Sequence, residues 1–479
     1  MASSAATLPP AQPGTTGHPP GLYLLFFTEM WERFSYYGMR GLLILYLTKT
    51  AQQGGLGIAA DSATLLYGYF TGFVYLTPII GGWLADNIFG QRLSIFIGGV
   101  LMAAGQFALY LQPDLSSVPI FFGLPWPTVV GLLLLIIGNG FFKPNISTVV
   151  GKLYAQGDPR RDAAFTIFYM GINAGAFLAP LICGYLAEDL FAVKTLVDGK
   201  IEVASFGFRY GFLAAGIGMV IGQLAFNLLG PKLLGSIGVT PDARKKKGDD
   251  SQAVTEKLTK EETDRVAVIF ILTVFVIFFW AGFEQAGGAL SLYTDTYINR
   301  EVFGFLIPTS WFQAVNPLFI VALAPVVAGI WLKLGRQGRD LSIPVKMGLG
   351  MILLGVGFLF MVGAALERGG NVTDTTVKAS IMWLLATYFF HTIGELCLSP
   401  IGLSMVTRLA PVTYASMLMG VWFLSSFVAN IAGGYIGAYV EKLGALQVFS
   451  LIAGFVIVVG LILLALAKRL LFMMHGRGD

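Results

Sequence analysis

Twelve stretches of this chain are apolar for long enough to cross a lipid bilayer, and that fixes its class before any other feature is weighed. A spanning helix needs about 20 predominantly apolar residues. By that measure the spans fall near 21–49, 62–86, 92–112, 126–153, 162–187 and 209–230, then near 266–297, 308–334, 343–366, 377–408, 412–440 and 444–468. Hydrophobic residues make up 56% of the chain and charged ones 12%, more apolar surface than a soluble core can bury. The expectation is an all-α integral membrane protein.

The divisions follow from composition. Residues 1–20 contain no Lys or Arg and no apolar core, so they read as a disordered tail and not a signal peptide. Six spans occupy 21–230 and six occupy 266–470, with a short tail at 471–479. Between the two sets, 231–265 ("PKLLGSIGVTPDARKKKGDDSQAVTEKLTKEETDR") is the longest polar stretch, a linker whose second part has the pattern of a short surface helix. Of the 31 Lys and Arg, 20 fall on the side of the N-terminus, 8 on the other side and 3 within spans. The positive-inside rule then puts both termini and the linker in the cytoplasm. The net charge of +4 does not argue for nucleic acid, because the basic residues are scattered through short loops. Cys183 and Cys397 lie in apolar segments and imply no disulfide framework.

The two halves show traces of duplication. "GNGFFKP" (Gly138 to Pro144) in the fourth span and "GELCLSP" (Gly394 to Pro400) in the tenth share Gly and Pro at one spacing. "GGWLADNIFGQRLS" after the second span and "GIWLKLGRQGRDLS" after the eighth share Trp-Leu, then Gly and Arg with one register slip. Matches at corresponding places favour two related six-helix bundles, with a site between them.

The first span carries a contradiction, for it holds Glu29, Glu32, Arg33 and Arg40 near its centre. Together with Tyr36 and Tyr37 these residues fall within an arc of about 140°, while Trp31, Phe34 and Gly38 face away. Each charge costs about 2.5 to 3.5 kcal/mol at a helix centre, so four facing lipid would cost on the order of 10 kcal/mol. Either the charges pair with one another at i,i+3 and i,i+4 spacing, or they line a water-filled cavity. Self-pairing leaves Arg40 and the tyrosines unused, so the cavity is the better reading. The other charges within spans are Lys143 in the first half and Glu284 and Glu395 in the second. That distribution suits a substrate with one anionic and one cationic end.

Three further features have plain readings. His391, one turn before Glu395, is either a proton relay or a hydrogen-bonded packing residue. In "GGWLADNIFGQR", Asp86 and Arg92 are expected to pair near a helix end in a structural or gating role. Asn371 begins "NVT", formally a glycosylation acceptor, and is assigned no role. No metal-ligand cluster and no nucleophile with its base is recognisable, which weighs against a membrane-embedded enzyme.

Three motifs resemble those of the proton-dependent oligopeptide transporters, a branch of the major facilitator superfamily. They are "EMWERFSYYGMR" (Glu29 to Arg40), which has the family's ExxER pattern, "FTIFYMGINAGAF" (Phe165 to Phe177) in the fifth span, and "GELCLSP" in the tenth. The resemblance implies the major facilitator fold and a proton-coupled symporter that imports di- and tripeptides by alternating access. The bilayer and short peptides are then its partners, the proton gradient its drive with no cofactor or metal, the cell membrane its location and the monomer its working unit. It implies proton coupling by Glu29, Glu32, Arg33 and Glu284. Arg33, Arg40 and Lys143 are implied for the peptide carboxylate and Glu395 for the amino terminus. Tyr36, Tyr37, Tyr75, Asn173, Asn316, Trp280, Trp422 and Ser426 are implied as pocket lining. Many bacterial members carry two extra helices between the halves, for which the linker here is too short and polar. Animal members have a histidine on the second span; here there is none, which leaves the proton to carboxylates. Because some relatives carry nitrate, a proton-coupled carrier of a small anion is the alternative, against which Glu395 stands.

Overall fold

The computed structural model of the chain describes residues 17–111, 120–121, 123–155, 158–197, 200–242, 258–372, 374–411 and 414–477. Most of the expected N-terminal tail and the 243–257 part of the linker, with the surface helix expected there, lie outside the described residues.

The twelve spans are Pro20–Thr48, Ala60–Leu84, Gln91–Tyr110, Trp126–Lys152, Arg160–Tyr185, Phe208–Leu233, Lys260–Phe283, Val315–Arg336, Ile343–Glu367, Ile381–Leu409, Ala415–Leu443 and Ala445–Met473. Among the described residues eleven helices are long and apolar enough to cross a membrane on composition alone. The first span is set apart from them by its charges. The seventh begins at Lys260, ahead of the expected 266, because Thr259 and Glu262 form a capping box. The Glu262 N–H donates to Thr259 Oγ at 3.2 Å, and the Thr259 N–H to Glu262 Oε2 at 2.9 Å. This span also breaks at its far end: a 3₁₀ turn, Glu284–Gly287, separates it from a short helix, Ala289–Tyr297.

Among the described residues, three antiparallel strand pairs lie between spans: β1 (Ile120–Phe121) with β2 (Leu124–Pro125), β3 (Val193–Val197) with β4 (Lys200–Ser205), and β5 (Glu301–Val302) with β6 (Phe305–Leu306). The last turns through Phe303 and Gly304, both left-handed, with φ of 52° and 77°.

Contacts divide the chain into two units, 1–57 with 73–253, and 58–72 with 254–479. In the first, the first span packs on the fifth and sixth and the third on the fourth and sixth. In the second, the seventh packs on the eleventh and twelfth and the ninth on the tenth and twelfth. Each pairing of the first unit therefore recurs six spans later. Glycines make the closest of these contacts. A Cβ at Gly98 of the third span would stand 2.6 Å from the Gly138 carbonyl oxygen, and one at Gly350 of the ninth 2.7 Å from that of Gly394. Gly138 and Gly394 are the matched glycines of the two repeated motifs, so the repetition is one of helix packing.

The division is not a single cut at the linker. The first half of the second span belongs with the second unit because Gly68 meets Gly434 and Asn430 of the eleventh span backbone to backbone.

Candidate functional site

Helix geometry puts Glu29, Arg33 and Glu32 side by side, and the fifth span fixes them there. A Cβ at Gly175 would run into the Met30 carbonyl oxygen and lie 2.9 Å from Arg33 Cβ, and one at Gly171 would lie 2.9 Å from the Phe26 carbonyl oxygen. These two glycines of the fifth-span motif let the first span approach where its charges sit. Its other face is equally close-packed: Trp31 and Phe34 lie against Gly218 and Gly222 of the sixth span, and Gly38 against Cys183.

Arg33 is the centre of the cluster. Its Nε lies 2.8 Å from Glu29 Oε1 and 2.7 Å from Glu32 Oε2. The contact to Glu29 is a hydrogen bond; that to Glu32 is an ion pair whose oxygen lacks hydrogen-bond geometry. All three residues are buried. The self-pairing that spacing allows, the less favoured reading of these charges, is therefore present for these three. It leaves capacity over, since Arg33 Nη2 and Glu29 Oε2 are buried without hydrogen-bond partners. The amide of Asn139 donates to Glu32 Oε1 at 3.2 Å. Lys143, one turn further along the same span, places its Nζ 4.2 Å from the Tyr75 ring centroid. The Arg40 guanidinium stands 5.8 Å from the Tyr37 ring, which packs edge to face on Tyr36. Asn173 is buried, with its amide donating to the Tyr169 carbonyl of its own helix.

The second unit carries a smaller polar group. Asn316 Nδ2 donates to Glu395 Oε2 at 2.9 Å and to Thr392 Oγ at 3.1 Å, while the Thr392 hydroxyl donates to the Tyr388 carbonyl. The carboxylate of Glu284, at the break in the seventh span, lies within electrostatic range of Glu395. Trp280 stacks edge to face on Phe279 and Phe283. Trp422 sits in the apolar core with its ring against Gly402, and half-buried Ser426 accepts the Asn430 amide at its carbonyl.

Asn139 and Thr392 complete these groups and escaped the sequence reading. Both had a signal, for each lies within one turn of a residue already singled out, Lys143 and Glu395 respectively. One other reading changes. Asp86 and Arg92 do not pair: Asp86 accepts from the Gln91 amide at 2.8 Å, and Arg92 donates to the Gly235 carbonyl at 2.7 Å. The left-handed turn at Gly90 separates the two side chains. The His391 ring lies 4.7 Å from that of Phe358, with its Nε2 buried without a hydrogen bond. Asn371 accepts the Leu446 N–H at its Oδ1 and donates to Gln447, which caps the twelfth span.

The profile of the POT family matches residues 92–247 and 239–452. YePEPT, a peptide transporter of Yersinia enterocolitica, is 34% identical over 482 residues, covering 89% of this chain and 88% of that one. A di-/tripeptide transporter of Lactococcus lactis subsp. cremoris is 33% identical, covering 96% of this chain and 97% of its own. Among solved structures, a mutant of the peptide transporter POT in complex with alafosfalin matches with a TM-score of 0.83 at 36% identity, over 98% of this chain and 99% of that one. A POT family transporter in complex with a thioalcohol-conjugated peptide matches with a TM-score of 0.81 at 31% identity, over 96% and 98%.

Proposed function

The chain belongs to the POT family, transporters of the major facilitator fold and not enzymes, and from that premise we propose that it imports di- and tripeptides together with protons by alternating access. One observation carries the reading: the guanidinium of Arg33 is held between two buried acids of its own helix. Protonating either acid weakens its hold on the guanidinium, so the readiness of the base depends on the proton.

Arg33, Arg40 and Lys143 take the substrate carboxylate, and Glu395 takes the ammonium. An extended residue adds about 3.3 to 3.6 Å, so anchoring both ends limits peptide length more than side-chain identity. Aromatic walls, Tyr36, Tyr37, Tyr75 and Trp280 among them, accept varied side chains. Glu284 and the acids of the first span carry the proton, with no cofactor. Each 100 mV of membrane potential contributes about 2.3 kcal/mol per charge moved inward. Both termini face the cytoplasm, as the distribution of Lys and Arg favours, and the protein works as a monomer in the cell membrane. The relatives, named as peptide transporters, do not favour the small-anion alternative.

The test is uptake of a labelled dipeptide into proteoliposomes under an inward proton gradient, with and without an uncoupler. Accumulation that the uncoupler abolishes is expected. Uptake indifferent to the gradient defeats the coupling, and failure with every di- and tripeptide defeats the substrate class.

A further inference from the structure

The first half of the second span meets the eleventh along a seam of glycines. A Cβ at Gly68 would stand 2.7 Å from the Gly434 Cα, one at Gly434 2.9 Å from the Thr64 carbonyl oxygen, and one at Gly72 3.2 Å from that of Phe427. Backbones this close leave almost no space between them. Yet beside Glu284 the seam opens into a pocket, lined also by Thr64, Tyr67, Thr71, Gln285 and Asn430. The centre of a water molecule can move through about 10 Å³ of it, which is room for about one water.

The chemistry of the lining is one-sided. Thr64, Thr71, Gln285 and Asn430 are all at most 3% exposed. Each directs donors to backbone carbonyls: Thr64 Oγ to Ala60 at 2.9 Å, Thr71 Oγ to Tyr67 at 2.8 Å, Gln285 Nε2 to Ala281 and Gly433 at 2.9 Å, and Asn430 Nδ2 to Ser426 at 2.8 Å. What these residues still offer is chiefly acceptor capacity: two hydroxyl oxygens and two amide oxygens, beside the Glu284 carboxylate. A species that donates hydrogen bonds suits such a lining, water with two donors or hydronium with three. An apolar seam has no packing need for four buried polar side chains at one spot, and each is costly there unless satisfied. The gap beside Glu284 thus suits a hydrogen-bond donor. Of the titratable groups in this unit, Tyr67 shares the pocket and Glu395 lies within electrostatic range of Glu284.

We infer that the pocket holds one water molecule and that this water is the port through which Glu284 exchanges its proton. An O–H bond of hydronium breaks, a carboxyl O–H bond forms on Glu284, and neutral water stays behind; release runs the same step in reverse. The inference rests on the proton-coupled reading above.

Two variants of the full-length protein test it. Gly288 also lines the pocket, and a Cβ there meets nothing nearer than Tyr67 Cδ1 at 4.0 Å, so Gly288→Ala adds a methyl to the wall of this one-water space without a clash. Thr71→Val keeps the shape and removes one acceptor. Each is reconstituted and measured twice, for dipeptide uptake driven by a proton gradient and for counterflow against preloaded dipeptide with no gradient. Gradient-driven uptake is expected to fall about tenfold, the scale of a weakened proton transfer, with counterflow held within about twofold. Undiminished gradient-driven uptake in both variants overturns the inference, as does an equal loss of both modes, which marks the residues as structural. If Gly288→Ala does not fold, Thr71→Val decides alone. Wild-type protein without peptide counterflow would instead defeat the transport reading on which the inference rests.

Discussion

Arg33 is what makes the charges of the first span tolerable. It is buried against two carboxylates, and removing one member of such a group leaves uncompensated charge, at a cost of about 3 to 5 kcal/mol. Arg33→Met should therefore lower the thermal midpoint in detergent markedly. Replacing the cluster as a whole, with Glu29→Gln and Glu32→Gln added, should recover most of the loss, because no charge is then stranded. A single Arg33→Met variant that melts with the wild type would show that solvent already screens the acids. Glu395 sets a different problem. Its carboxylate accepts from Asn316, a bond that Gln can also accept, so Glu395→Gln should fold normally while losing the charge proposed to meet a peptide ammonium. The expected result is a KM for dipeptide uptake raised about tenfold, which corresponds to about 1.4 kcal/mol. An unchanged KM would remove the amino-terminal role.

Between elements, glycine decides which helices meet. Gly175→Ala would drive a methyl into the Met30 carbonyl, and the overpacking should cost about 1 to 3 kcal/mol. Gly454 of the twelfth span has nothing within 4 Å of its Cβ position, so Gly454→Ala should leave the thermal midpoint level or slightly raised. If the two substitutions are equivalent, close approach is not what Gly175 provides. The hairpin of β5 and β6 gives the opposite case. Its two-residue turn places Phe303 at φ 52° with its side chain wholly exposed, a conformation that favours Asn or Gly. Phe303→Asn should stabilise the turn by about 1 kcal/mol, read as a higher midpoint; a fall would mean that the ring makes contacts that outweigh its strain. These details also mark how far the sequence could be read. The spans were legible because apolar length is a one-dimensional property. So was the charged face, which needs only the helical repeat. The early start of the seventh span was written in Thr259 and Glu262 but hidden among charges that read as linker. The neighbours of His391 and Arg92 were not legible, since Phe358 and Gly235 come from distant parts of the chain. Asn139 and Thr392 stood within one turn of chosen residues, yet only the packed helices show what they touch.

At the scale of the molecule, the second span is divided between the two units: its first half groups with the second unit and its remainder with the first. If access alternates, the glycine seam between the second and eleventh spans must loosen or the second span must flex between its halves. A crosslink across the seam separates these possibilities. A Cβ at Gly437 would lie 3.2 Å from Thr64 Cβ, close to the roughly 3.5 to 4.5 Å of a disulfide. The native Cys183 and Cys397 are free and buried, and so are poor competitors for the bond. Thr64→Cys with Gly437→Cys should therefore join on oxidation, verified as a crosslinked peptide by mass spectrometry. Oxidised protein should lose dipeptide counterflow and regain it on reduction, while each single-cysteine variant shows counterflow in either state. Full counterflow with the crosslink in place would mean that the seam stays closed through the cycle. The second span would then have to bend between its halves, and Pro78, within its remaining part, would be the first position to examine for that motion.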